Sequence, residues 1–101
     1  MSVTGREQTV NETQVIRVHY WAAARAAVGI ASEDVPCAAP MTLAELRAEV
    51  LRRHPGADRL GDVLAVCSVL LGDRPVRSQD PAEVIVPPGS VVEFLPPFAG
   101  G

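Results

Sequence analysis

From Val15 to Trp21 the chain reads VIRVHYW, an imperfect apolar–polar alternation rich in β-branched and aromatic residues, which predicts a strand. AAARAAVG follows, alanine-rich and closed by Gly29, and predicts a short helix with a glycine stop. A weaker strand is expected around 33–35, before Pro36. The next element carries the clearest signal. Thr42 is an N-cap with Glu45 three residues on, the pattern of a capping box, and Met41 and Leu46 have the spacing of a hydrophobic staple. Leu43, Leu46 and Val50 share one helical face with Leu51 beside them, Arg52 and Arg53 stand in the last turn, and Pro55-Gly56 stops the helix near His54.

LAVCSVLL, residues 64–71, is an unbroken apolar run between Gly61 and Gly72, read as a strand buried on both faces. Gly72-Asp73 marks a turn, with a short strand expected around Val76. Pro81 and then Pro87-Pro88-Gly89-Ser90 break the following stretch, and VVEFL, residues 91–95, is the last strand. Strands on both sides of one good helix predict an α+β layer, a mixed sheet covered by one main helix. Residues 1–14 are polar and aperiodic and are expected to form a flexible tail ahead of a domain spanning 15–101.

Composition narrows the function classes. A length of 101 residues suits one domain. A net charge of −3 offers no basic excess for neutralising phosphates, which argues against nucleic acid as partner. No apolar run reaches membrane-spanning length and the first segment lacks the apolar core of a signal peptide, so no membrane association and a cytoplasmic location are expected. Cys37 and Cys67 are far apart and outside any C-x-x-C pair, as for buried reduced thiols; no metal site is predicted. All nine basic residues are arginine, so the chain has no side-chain amine. His19 and His54 have no carboxylate at a spacing that would pair with them and are expected to face solvent. Tyr20 and Trp21 are expected at the edge of the core. Phe94, alternating with Val92, belongs inside, while Leu95 is open between core and surface.

The sequence closes on LPPFAGG. Pro96 and Pro97 fix φ near −65° and favour an extended exit from the last strand. Gly100 and Gly101, with no Cβ, fit a channel too narrow for other residues. Six residues reach about 20 Å at ~3.3 Å each. A stiff-based, thin-tipped arm of this kind presents one group, an ionised carboxylate that must be activated before any nucleophile can attack it. There is no Gly-rich phosphate loop, so no bound cofactor is expected and ATP would be used by an activating partner.

These residues carry a resemblance. VVEFLPPFAGG is similar to the C-terminus of the MoaD family, the small subunits of molybdopterin synthase, which end on a strand followed by PP-x-x-GG. VIRVHYWAAARAAVG and TLAELRAEVLRRHP resemble that family's opening strand and helix and its main helix. The likeness runs from Val15 to Gly101 and implies the β-grasp (ubiquitin-like) fold. It implies adenylation of Gly101 by a MoeB-type adenylyltransferase, conversion to a thiocarboxylate, and sulfur donation to cyclic pyranopterin monophosphate within a MoaE-type large subunit. It further implies a heterotetramer whose catalytic groups lie mainly on the large subunit. Gly101 would carry the sulfur, Gly100 would give clearance, and Pro96, Pro97, Phe98 and Ala99 would line the insertion path. A diglycine end also occurs in sulfur carriers of other pathways (thiamine, cysteine or tRNA thiolation) and in ubiquitin-like protein modifiers, which are the alternative readings. One departure from the family is local: Pro87-Pro88-Gly89 stands where a short Asp-Gly turn is usual.

Overall fold

The structure, a computed structural model, describes residues 14–97 of the chain. The leading segment 1–13 and Phe98, Ala99, Gly100 and Gly101 lie outside the described residues. Seven strands and three helices follow in the order β1 (Val15–Tyr20), α1 (Ala22–Val28), β2 (Ser32–Pro36), β3 (Met41–Thr42), α2 (Leu43–Arg53), α3 (Leu60–Val66), β4 (Ser68–Leu71), β5 (Arg74–Pro75), β6 (Ile85–Val86) and β7 (Val91–Leu95).

Five strands form one mixed sheet in the order β2-β1-β7-β4-β5. The first and last strands, β1 and β7, run parallel at its centre, with Val18 opposite Val92 and Tyr20 opposite Phe94. β2 pairs antiparallel with β1, and β4 antiparallel with β7, where Ser68 faces Leu95. A parallel pair needs a crossover, and α1, α2 and the intervening loops supply it on the covered face. Alternation is strict where it counts: Ile16, Val18, Tyr20, Val92 and Phe94 are at most 2% exposed and face the helices. The expected α+β layer is therefore observed, with α2 as its longest helix.

Local signals explain α2 well. Thr42 Oγ1 accepts from the Glu45 N–H at 3.0 Å and Glu45 Oε1 accepts from the Thr42 N–H at 2.8 Å, so the capping box is closed in both directions. Two further N-terminal donors of α2, on Leu43 and Ala44, bond the carbonyls of Val84 (2.9 Å) and Pro81 (3.1 Å). The loop carrying those carbonyls is held by a small ribbon in which β3 pairs with β6. Strands of two residues leave no periodic trace, so neither was predicted. Gly29 sits at φ 88° as the C-cap of α1, the left-handed conformation that its lack of Cβ permits. Pro87-Pro88-Gly89 does form the expected turn: Gly89 is at φ 87°, its N–H bonds the Val15 carbonyl at 2.8 Å, and Ser90 Oγ donates to the Pro87 carbonyl at 2.6 Å.

The run LAVCSVLL departs from expectation. Its first three residues end a helix, α3, and only Ser68–Leu71 is strand. Leu60, Val63, Leu64 and Cys67 are spaced i, i+3, i+4, i+7, and all four contact the core, whereas Val66 is 63% exposed. A strand would have buried alternate positions; the helical period won. Gly61, read as a boundary, lies inside α3, where an added Cβ would meet only Leu51 at 3.8 Å. The short strand expected around Val76 is β5, ending one residue earlier, with Val76 itself buried.

Candidate functional site

β7 is the central strand, and the tail leaves from its C-terminal end. Its direction is fixed from both sides. The Trp21 N–H donates to the Phe94 carbonyl at 3.0 Å, extending the pairing with β1 to the last turn of the sheet, and Ser68 holds register with Leu95 on the other side. Phe94 is fully buried and stacks on Tyr20 with ring centroids 6.1 Å apart and planes at 10°, an offset arrangement suited to two aromatic quadrupoles. Leu95 is half-buried, and Pro96 and Pro97 are exposed. Both prolines thus stand where an exit from the sheet requires them; the other proposed tail residues, Phe98, Ala99, Gly100 and Gly101, lie outside the described residues.

Tyr20 in turn is anchored by a polar hub that the sequence did not betray. Its hydroxyl donates to Glu33 Oε2 at 2.5 Å, Arg53 Nε donates to Glu33 Oε1 at 3.0 Å, and His54 Nε2 lies 2.7 Å from Glu33 Oε2. The Glu33 side chain is 9% exposed. Burial works to raise its pKa, but the hydrogen bonds from Tyr20, His54 and Arg53 outweigh it and hold the carboxyl below its ordinary value. Burial, with the bond to Glu33, pushes the Tyr20 hydroxyl well up, so it stays a donor. The expectation of an unpaired, solvent-facing His54 is therefore wrong. Its partner is 21 residues away, brought across by β2 lying beside the end of α2, and no local spacing announces that contact. Trp21 also differs from expectation: it is 46% exposed, and its indole N–H donates to Glu93 Oε1 at 3.0 Å on the outer surface beside the exit.

Beside the tail exit, a cleft of 760 Å³ opens between the start of α2, the junction of α3 with β4, and the loop after β5. Pro97 forms part of its wall. Leu43, Val69 and Val76 give it apolar sides, and Arg47 and Arg77 give it positive charge; among the described residues no carboxylate lines it. Arg47 Nε is buried without a hydrogen-bond partner. Arg77 adopts φ 59°, the left-handed region that non-glycine residues rarely enter. Cys67 also lines the cleft. Burial pushes its thiol up, more than the nearby Arg47 charge draws it down, so at neutral pH it stays protonated and is a weak nucleophile. Arg47 had a readable signal, since it falls four residues after Leu43 on the apolar stripe of α2. Nothing local marks Arg77. Both cysteines are free thiols, Cys37 buried and Cys67 only partly so. Among the described residues no three metal-ligating side chains gather, and no helix is long and apolar enough to cross a membrane.

A small mixed sheet with first and last strands paired at its centre, wrapped on one face by helices and running out into a diglycine arm, defines the ubiquitin-like β-grasp class. Within that class the chain belongs to the ThiS family, which matches residues 18–101. It is 30% identical over 92 residues to a molybdopterin synthase sulfur carrier subunit from Aspergillus niger, an alignment covering 91% of this chain and all of that one. Among solved structures it is similar to a protein assigned as molybdopterin converting factor subunit 1 from Pyrococcus furiosus (TM-score 0.65, 21% identity, 83% of this chain and 98% of that one). It is similar too to a chain of the complex of subunits 1 and 2 of molybdopterin-converting factor from Helicobacter pylori (TM-score 0.56, 25% identity, 86% and 99%).

Proposed function

We propose that this chain is the sulfur carrier subunit of a molybdopterin synthase, with Gly101 as the carrier residue. The observation that bears most weight is the placement of PPFAGG directly after the central strand of the sheet. Pairing on both edges of β7 makes it a rigid base, the two prolines stiffen the exit, and the last three residues, Ala99, Gly100 and Gly101, have little or no side chain. A fixed base of this kind lets the terminal group be delivered at a defined reach.

The chemistry follows from the carboxyl group. An activating partner of the adenylyltransferase type joins the Gly101 carboxylate to the AMP moiety of ATP, releasing pyrophosphate. A sulfur nucleophile then displaces AMP, leaving a thiocarboxylate. The loaded arm enters a large subunit and gives its sulfur to a pterin precursor of the cofactor. ATP and the precursor belong to those partners; this chain contributes the reach, the clearance at Gly100 and the acyl carbon. Its lack of lysine and the protonated state of Cys67 leave few nucleophiles on the chain itself to consume the activated carboxyl. The Helicobacter pylori protein is in complex with a second subunit, which supports a large-subunit partner here. The heterotetramer and the cytoplasmic location belong to this same reading.

The test is mass spectrometry of the purified chain after incubation with an adenylyltransferase of this type, ATP and a sulfur donor. The C-terminal peptide should gain the mass difference between sulfur and oxygen, and the loaded protein should convert precursor to molybdopterin when the large subunit is added. Isopeptide linkage of Gly101 to lysines of other proteins, with no thiocarboxylate, would instead mark a protein modifier.

A further inference from the structure

The outer face of the sheet carries a charge in an apolar setting. Val91, Glu93 and Leu95 alternate with the buried Val92 and Phe94, so they stand on the side away from the helices. Register places Leu70 beside Glu93 on β4 and His19 beside it on β1. Trp21, 46% exposed, reaches the same face, where its indole N–H donates to Glu93 Oε1 at 3.0 Å. Glu93 is thus a partly buried carboxylate bordered by Trp21, Leu70 and Leu95, and among the described residues it takes part in no ion pair.

The border adjoins the tail exit and is held there. The Trp21 N–H bonds the Phe94 carbonyl, and the next residue, Ala22, adopts φ 49°, the left-handed region that non-glycine residues rarely enter. Such a conformation persists where the surroundings require it, and here it fixes the turn on which Trp21 stands. Leu95, on the same face, leads directly into the exposed Pro96 and Pro97. A protein that receives the tail meets this end of β7, and an exposed tryptophan is the kind of side chain that anchors an interface. Covering the face strips water from Glu93, which is costly unless the covering surface brings a cation. We propose that this face docks the large subunit of the carrier reading, on which the inference rests, and that Glu93 selects that partner by requiring an arginine or lysine opposite it.

The geometry suits a specificity determinant. The indole holds Oε1 and leaves Oε2 for the partner, so the carboxylate is oriented before the partner arrives and little ordering remains to be done. A surface that places a carboxylate or an apolar side chain over Glu93 is rejected, which separates the right large subunit from similar apolar surfaces. A buried charge pair acts mainly on the rate of dissociation. A long-lived complex suits a subunit of the same synthase, whereas an activating partner has to let the loaded chain go.

The test uses the full chain and a purified large subunit. Trp21 is the single tryptophan, so fluorotryptophan labelling gives one fluorine NMR signal, which should shift when the large subunit is added. Glu93→Gln keeps an acceptor for the indole and should leave the melting temperature unchanged. It should nevertheless weaken binding about 30-fold and flatten its salt dependence. In sulfur transfer from the loaded chain it should raise KM and leave kcat at the wild-type value. Glu93→Arg should abolish binding, and changing one basic residue of the large subunit to glutamate should restore it, a rescue that mere structural damage would not allow. A fluorine signal that stays still while the complex forms would overturn the proposal, as would equal affinity and salt dependence for wild type and Glu93→Gln. So would a signal that shifts with chain concentration alone, which marks a second copy, or with the activating partner and not the large subunit. Sulfur loading at Gly101 is read separately by mass. A chain that loads and transfers sulfur equally well as Glu93→Gln overturns this inference alone, and one that docks as described but takes no sulfur overturns the carrier function alone.

Discussion

The two flanks of the tail's base treat charge in opposite ways. On one flank Glu33 gathers Tyr20, Arg53 and His54, and every member has a partner within 3.0 Å. On the other, Arg47 and Arg77 face a cleft that no carboxylate lines among the described residues. The first arrangement is what packing demands. A half-buried carboxylate is tolerated only when its lone pairs are filled, and filling them ties β1, β2 and the end of α2 together beneath the Tyr20–Phe94 stack. The second arrangement leaves a buried donor unmet, which stability alone would select against. Satisfied charge ties the fold together on the first flank; on the second, Arg77 stands in solvent and only the Nε of Arg47 is buried without a partner.

Changes at Gly100 and Gly101 should separate carrier function from fold most sharply, because they alter none of the described residues that form the Glu33 hub or line the cleft. Deleting Gly101, or replacing Gly100 with valine, should reduce sulfur transfer at least about 100-fold, since one residue shifts the acyl carbon by ~3.3 Å and much smaller misplacements already cost that much. Far-UV circular dichroism and the melting temperature should match wild type. Normal product formation by the truncated chain would remove Gly101 from its role. Glu33→Leu should do the reverse. It leaves the Tyr20 hydroxyl, the Arg53 guanidinium and the His54 ring without their shared acceptor and should destabilise by about 2–4 kcal/mol in urea unfolding, with sulfur transfer per folded molecule unchanged. A loss of transfer beyond the loss of folded protein would show that the hub shapes the exit as well as supporting it.

Acid provides a graded version of the same experiment. Glu33 is held below its ordinary 4.5 in the fold, so its contribution is complete above that value and is lost as pH falls through the lower folded value. The melting temperature should therefore fall on acidification from about pH 5, and more steeply in wild type than in Glu33→Gln, which cannot titrate there. Parallel curves for the two proteins would mean that other carboxylates carry the acid sensitivity.

How much of this could be read from the chain depends on how far each interaction reaches. Capping boxes, glycine stops and the PP-x-x-GG end are written within a few residues, and Thr42 and Gly29 stand where the sequence put them. The run 64–71 was misread because its apolar residues satisfy two periods at once; only the burial of Leu60 and the exposure of Val66 decide for helix. The Glu33–His54 contact spans 21 residues and needs the sheet to exist first. The same holds for the cleft, whose walls come from four separate stretches of chain. Arg77's positive φ has no signature, since glycine or asparagine is the residue that usually announces that conformation.

Adjacent arginines at the end of α2 offer the finest comparison. Arg52 pairs with Glu49 one turn back, at 2.6 Å, on the open helix surface, with 71% of its side chain exposed. Arg53 turns inward to Glu33 at 3.0 Å and also donates to the Asp34 carbonyl at 3.3 Å, with 30% exposed. Both sit in the last turn, where the helix dipole favours a cation equally, so that contribution cancels between them. What differs is solvent. Water screens the Arg52 pair and two long side chains must be ordered to make it, whereas the Arg53 bond forms against a carboxylate already fixed by Tyr20 and His54. Arg53→Ala should cost about 1–2 kcal/mol and move the acid transition upward, because Glu33 loses one of the bonds that depress its pKa. Arg52→Ala should leave the melting temperature within experimental error at physiological salt. Equal losses for the two would mean that the dipole, not the hub, is what the arginines serve.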